Sequence, residues 1–390
     1  MAERLTRQQL YDLVWSEPLR TLALRLKISD VALKKHCARE RIPAPERGYW
    51  NKRQAGKKTN QVALPPRPPG MNDEILIGGD RHSWWRDTPT NEEILGPIPP
   101  RPTFEEPIET VRDRARKDIG KVSVSKTFTP AHPVIERHLN EDEKRKEKQR
   151  TSTYTFSWEA PIFDAPFERR RLRVLNAIFV ATARAGAKCW TRGREAREIG
   201  ITVGRQHVYL KLDAVTRQQR KSPELKNNPD WLKVAILNGY GTDSERISWS
   251  DDEAEKIEDK LAAIATEIFV AAENQYRESC IYQYEWRAER RAQLIEEENK
   301  KKLEAERLER ERKIKAEKDR IDRLLNEANL FRQAKDIRDY VSSVRIACQS
   351  SDIPLEALDQ WCAWALGEAE RIDPVASRSF LNDLPKTGET

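Results

Sequence analysis

From about Glu285 to Arg323 two residues in three are charged, and the signs are spaced in a way that suits a helix. Glu296–Lys300, Glu297–Lys301, Glu298–Lys302, Glu306–Arg310, Glu309–Lys313, Glu311–Lys315 and Asp319–Arg323 each set an acid four residues before a base. Each such pair adds about 0.2–0.5 kcal/mol to an isolated helix. The apolar residues Leu294, Leu303, Leu308 and Ile314 keep no heptad. A solvated single helix over 283–323 is therefore expected, with a coiled coil as the second reading. Such a segment has no core to offer, so the chain must fold in separate pieces around it.

The rest of the composition agrees. Of 390 residues, 38% are apolar and 35% charged, a balance too polar for one large core. Length suggests two or three domains. The charge is also segregated. Residues 1–58 hold 14 Lys/Arg against 6 Asp/Glu, while the other 332 residues sum to about −1. A local positive excess of this kind is the footprint of a phosphate-binding surface.

Residues 59–150 carry 12 of the 22 prolines, in runs such as Pro65-Pro66-Arg67-Pro68-Pro69. Proline removes backbone donors, so a Pro-rich linker, largely disordered, is expected there. Within it Ile75-Leu76-Ile77 and Trp84-Trp85 are the patches able to dock, and His132 and His138 are expected to be solvated. Residues 151–282 read as a small antiparallel α+β domain. Tyr154, Phe156 and Trp158 alternate, and so do Ile199, Ile201 and Val203, then Val208, Leu210 and Leu212, then Leu232, Val234 and Ile236, then Ile247 and Trp249. Phe167 to Ala187 reads as a helix with Leu172, Leu175, Phe179 and Ala183 on one face. Ser250 is the expected cap of the next helix. Residues 324–381 suggest a helical hairpin, with Ile321, Leu324, Ala328, Phe331, Ile337, Val341, Val344 and Cys348 facing Leu355, Leu358, Trp361, Cys362 and Ala365. Residues 382–390 read as a disordered tail, and Leu384-Pro385-Lys386-Thr387-Gly388 as a chance sortase-like match. The expected class is α+β, mainly helical.

The N-terminal 58 residues carry the functional signal. Thr6 and Gln9 have capping-box spacing ahead of Leu10, Leu13 and Val14. Pro18 opens a second helix with Leu19, Leu22, Ala23 and Leu26 inward. Lys27-Ile28-Ser29 is a turn, and Ser29 caps a third helix through about Arg41, with Ala32 and Leu33 buried. This spacing resembles the helix-turn-helix of bacterial repressors and sigma-type readers, except that Lys27 stands where such motifs usually carry glycine. The resemblance implies that the third helix enters the major groove of duplex DNA. Ser29, Asp30, Val31, Lys34, Lys35 and Arg39 would then face base edges or phosphates. Arg47, Lys52, Arg53, Lys57 and Lys58, interleaved with Tyr49 and Trp50, would clamp the backbone.

The run Leu10-Tyr11-Asp12-Leu13-Val14-Trp15, Ile28-Ser29-Asp30-Val31-Ala32-Leu33, Ile42-Pro43 and Gly48-Tyr49-Trp50 is similar to a group of uncharacterised bacterial proteins. So are Trp361, Trp364-Ala365-Leu366 and Glu370-Arg371-Ile372-Asp373-Pro374. That likeness implies DNA binding and little more.

Competing readings are a protein-interaction scaffold and a nucleic-acid-processing enzyme of a mobile element or defence system. For the enzyme, Glu195, Glu198 and Asp213 with Lys211 are the available groups, but no recognisable catalytic motif orders them. His36 beside Cys37 lacks a third ligand, and the five cysteines form no C-x-x-C pair, so no metal, cofactor or disulfide is expected. No apolar run spans a bilayer and no secretion signal opens the chain, which suggests a cytoplasmic protein. The expected partners are double-stranded DNA and, through the C-terminal helices, a protein partner or homo-oligomer, with no membrane.

Overall fold

The structure is a computed structural model and describes residues 3–78, 89–104, 106–151, 160–215, 231–348 and 354–383. Trp84-Trp85, the Tyr154–Trp158 alternation and the 384–388 pentapeptide lie outside them. The chain divides into two compact units, Met1–Arg290 and Arg291–Thr390. It is a mixed α+β fold dominated by helices.

The first unit begins with a strand, β1 (Glu3–Thr6), and three helices, α1 (Arg7–Ser16), α2 (Leu19–Arg25) and α3 (Asp30–Arg39). The capping box forms as spaced: Thr6 Oγ1 accepts from Gln9 N–H at 3.1 Å, and Gln9 Oε1 accepts from Thr6 N–H at 2.8 Å. A short helix α4 (Tyr49–Gln54) and a strand β2 (Glu74–Ile77) follow. β2 pairs antiparallel with β1, so Ile75 and Ile77 close a core of Leu10, Val14, Leu22 and Leu33. The compact head therefore extends to residue 77, beyond the expected boundary at 58.

The stretch expected to be a disordered tether carries three further helices, α5 (Asn91–Leu95), α6 (Ile108–Ile119) and α7 (Pro133–Thr151). The physical reason lies in where the prolines fall. Pro107 and Pro133 stand at helix starts, where a missing N–H costs nothing. Behind Pro107, Val111, Ala115 and Ile119 recur every four residues and are buried. Ala115, Ile119 and Ile135 join the core of the following domain. The neighbouring histidines, expected to be solvated, are not: His132 is half-buried edge-on to Phe179 at 5.2 Å, and burial lowers its pKa. His138 is buried, with Nε2 at 2.7 Å from Thr191 Oγ1, and burial holds its pKa below the ordinary imidazole value.

That domain sets helix α8 (Pro166–Arg184) and the start of helix α9 (Ile257–Cys348) against five strands: β3 (Lys188–Arg192), β4 (Glu198–Val203), β5 (Gln206–Ala214), β6 (Leu232–Leu237) and β7 (Glu245–Ser250). The strands pair antiparallel in chain order, the expected meander with β3 in addition. Ile199, Ile201, Val208, Leu210, Leu212, Val234 and Ile236 face Leu172, Leu175, Phe179, Leu261, Ile264 and Ile268. Ser250 does not cap the long helix. It pairs with Lys233 as the last residue of β7, and the Asp251 carboxylate accepts from Ile257 N–H at 2.8 Å instead. Burial alone would raise the Asp251 carboxyl, but Arg170 and the N–H groups of Leu232 and Ile257 outweigh it and hold it below the usual range.

The head does not hang free of this domain. Arg67 Nη2 meets the buried Glu273 of α9 at 2.5 Å, Gly70 N–H donates to the same carboxylate at 3.1 Å, and Asp73 N–H donates to Tyr276 Oη at 3.3 Å. Arg205, in the turn between β4 and β5, reaches Glu40 at 3.0 Å. Gly70 and Gly204 both have positive φ, and a Cβ on either would come within 2.6 Å of backbone atoms across the contact. Instead of hanging on a disordered linker, the head is thus anchored within one unit.

In the second unit, α10 (Leu355–Ile372) folds back on α9. Val341, Cys362 and Ala365 form its centre, flanked by Ile337, Leu358 and Trp361, and Arg338 holds Asp373 at 2.6 Å. Ile321, Leu324 and Phe331 stay exposed, because α10 is shorter than the apolar seam it was expected to cover. In the charged stretch Glu309–Lys313 pairs at 2.8 Å as spaced, whereas Glu311 turns back to Arg307. Among the described residues no helix is long and apolar enough to cross a membrane.

Candidate nucleic-acid interface

Helix α3 is built by a simple division of its faces. Ser29 Oγ accepts from Ala32 N–H at 3.1 Å and starts the helix. Leu33 and Cys37, four residues apart, are buried in the head core. Ser29, Asp30, Val31, Lys34, Lys35 and Arg39 are all exposed. Positions 30, 31, 34, 35 and 38 fall on one side of a 3.6-residue helix, so Lys34 and Lys35 share a stripe with Asp30 and Val31. Val31 is 58% exposed.

Arg39 is more engaged than the lysines. Its Nε lies 3.1 Å from Glu40 Oε1 and its Nη2 lies 2.8 Å from His36 Nδ1. Glu40 also holds Arg205, so the carboxyl end of α3 is tied to the body while its amino end is exposed. Burial pushes the Cys37 thiol up to about 11, which leaves it neutral beside His36. Among the described residues no three His, Cys, Asp or Glu side chains gather as a metal site.

The turn before α3 bears on stability. Lys27 sits at φ +55°, the left-handed region that disfavours any side chain, and Ile28 N–H donates to Ala23 at 3.0 Å to close it. Glycine relieves this strain, so Lys27→Gly is expected to stabilise the head by about 0.5–1 kcal/mol and raise its thermal midpoint by a few degrees. A lowered midpoint in a melting curve would show that Lys27 makes a contribution the backbone does not explain.

Arg47, Lys52, Arg53, Lys57 and Lys58 are exposed on α4 and its flanking turns. Tyr49 anchors this element edge-on to Trp15 of α1 at 5.1 Å, with Trp50 against Tyr49 at 5.3 Å and the Arg53 guanidinium 5.5 Å over Trp50. The aromatics thus pack inward and leave the cations out. Trp15 Nε1 donates to Pro43 O at 2.9 Å, which fixes the link from α3 to α4.

One positioning residue escaped the sequence reading. Arg7 is 4% exposed, and its guanidinium donates to the carbonyls of Glu40, Arg41 and Pro65 at 2.9, 2.9 and 2.6 Å. It therefore caps the negative end of the α3 dipole. A signal was present: a cation as the first residue of a helix is unfavourable unless it serves something else.

The groups considered for catalysis are arranged as ion pairs. Arg197 is held by Glu195, Glu168 and Asp213 at 2.8, 2.7 and 2.6 Å. Lys211 meets Asp243 at 2.7 Å, and Glu198 accepts weakly from Tyr240 Oη at 3.4 Å. Burial would lower the Arg197 pKa, but these carboxylates raise it above the ordinary guanidinium value. No family model, no curated protein and no solved structure matches this chain.

Proposed function

We propose that this protein binds double-stranded DNA through an N-terminal helix-turn-helix in which α3 enters the major groove. The observation that carries the reading is the exposed stripe of Asp30, Val31, Lys34 and Lys35 on a helix whose adjoining side, Leu33 and Cys37, is locked in the core. Lys34 and Lys35 supply charge to phosphate or guanine acceptors, Asp30 suits a cytosine amino group, and Val31 suits a thymine methyl. The cations of α4 and its flanks add backbone contacts.

A single head of this size binds weakly. The hairpin of the second unit leaves Leu324, Phe331 and Trp364 more than 40% exposed, which favours a protein partner or a second copy there. The test is a duplex titration of the full chain by fluorescence anisotropy between about 50 and 200 mM salt. Affinity is expected to fall by about a thousandfold if some six phosphates are contacted. A flat salt response would reject the reading in favour of a protein-binding scaffold.

A further inference from the structure

The sheet has a second face. Cross-strand partners share a side, so Lys188, Trp190 and Arg192 of β3 point away from the core with Glu198, Gly200, Tyr209 and Lys211 of the next two strands. Their arrangement goes beyond what covering a sheet requires. A Cβ on Gly200 would sit inside the indole of Trp190, so only a glycine in β4 lets that ring lie flat across the neighbouring strand. Tyr209 meets Trp190 edge-on at 6.0 Å, and Tyr240, from the β6–β7 turn, follows Tyr209 at 5.3 Å. Arg192 joins the row, 5.7 Å over Trp190 and 5.6 Å over Tyr240, with Nη1 donating to Tyr240 Oη at 2.9 Å.

From this row of rings we infer that the outer face of the sheet stacks the unpaired bases of single-stranded DNA. Every base has a π-face, and aromatic side chains on a sheet present complementary faces at no cost in sequence preference. The alternation of Lys188, Trp190 and Arg192 along one side of β3 sets a cation on each side of a ring, which suits a polymer carrying a phosphate between successive bases. Arg192, fixed by Tyr240, offers its guanidinium plane as a further stacking surface. The bases lie on Trp190, Tyr209 and Tyr240, and the exposed Lys188 meets the backbone. The choice of DNA over RNA rests on the duplex reading of the head, which would bring a DNA strand to this unit. The stacking surface itself does not depend on that reading.

The test uses the full chain carrying Lys34→Ala/Lys35→Ala, which weakens the head, and the charge left on the head is read by the abasic strand. Anisotropy is measured with a fifteen-nucleotide oligothymidine, with an abasic oligomer of the same length and charge, and with oligouridine. Oligothymidine is expected to bind at least tenfold more tightly than the abasic strand. Tyr240→Ala and Trp190→Ala should each weaken it by about 5- to 150-fold, and Trp190→Phe should restore most of the loss. Tyr240 is on an exposed turn, so its variant reads out even if Trp190→Ala fails to fold. Equal binding of the abasic strand, or unchanged affinity in Tyr240→Ala, overturns the proposal. Tighter binding of oligouridine overturns the assignment to DNA. A chain that fails with duplex but passes here would lose the head's function and keep this one.

Discussion

Replacing Glu273 by alanine is expected to cost the first unit about 3–5 kcal/mol of stability. Its carboxylate is fully buried and serves three donors: Arg67, Arg277 of its own helix at 2.8 Å, and Gly70 N–H. Truncation leaves two guanidiniums and an amide facing an empty site. The arginines are 19% and 16% exposed, so water offsets part of the loss and the lower end of the range is the safer figure. Glu273→Gln keeps the shape and drops the charge, and is expected to cost less, about 1.5–3 kcal/mol. The damage should be directional. Residues 65–77 lose their anchor first, so amide hydrogen exchange in β2 and its partner β1 should accelerate before the sheet of the body does. Urea unfolding with an unshifted midpoint, together with unchanged exchange in β2, would mean that the head is held by something other than this carboxylate.

Lys34→Ala/Lys35→Ala is expected to weaken duplex binding by about thirtyfold or more and to reduce the salt slope by about two, one for each phosphate contact removed. The fold should tolerate it. Both side chains are exposed, and alanine is the better helix former. Removing the same two charges at Lys57 and Lys58 should cost affinity without altering preference among sequences, because those residues flank α4 and not α3. If the α3 pair and the Lys57/Lys58 pair behaved alike at every salt concentration and on every sequence, the head would be a basic surface and not a groove reader.

The elements that local pattern specifies were legible in the sequence. The capping box at Thr6, the Ser29 cap, the alternation of β4 to β6 and the helical phase of the charged stretch each need only a few neighbouring residues to be recognised, although Glu309–Lys313 forms as spaced while Glu311 chooses Arg307. What sequence reasoning missed depends on distant partners. Ile75-Leu76-Ile77 reads as an apolar patch, but only pairing with Glu3–Thr6 makes it a strand of the head. The proline count hid α6, whose Val111, Ala115 and Ile119 are sparse and whose value comes from the core they join. Cys189 and Thr191 give β3 too weak an inward side to announce a strand, since half of its signal is the outward Lys188, Trp190 and Arg192. In the candidate interface all eleven residues named from the sequence are exposed, whereas the partners of Arg7, which fixes the end of α3, are backbone carbonyls that a sequence does not mark, and its unfavourable place at the start of α1 was the one signal.

The meeting of Gly70 and Gly204 carries a consequence for variation. Neither turn has space for so much as a methyl group, so the two positions are bound to each other rather than to their own neighbours in sequence. Drift at one would be expelled unless the other loop also moved away, and a chain that swapped either for alanine would have to seat its first eighty residues differently. Two glycines 134 positions apart thus answer to one steric constraint, and any chain that keeps this docking is expected to keep both.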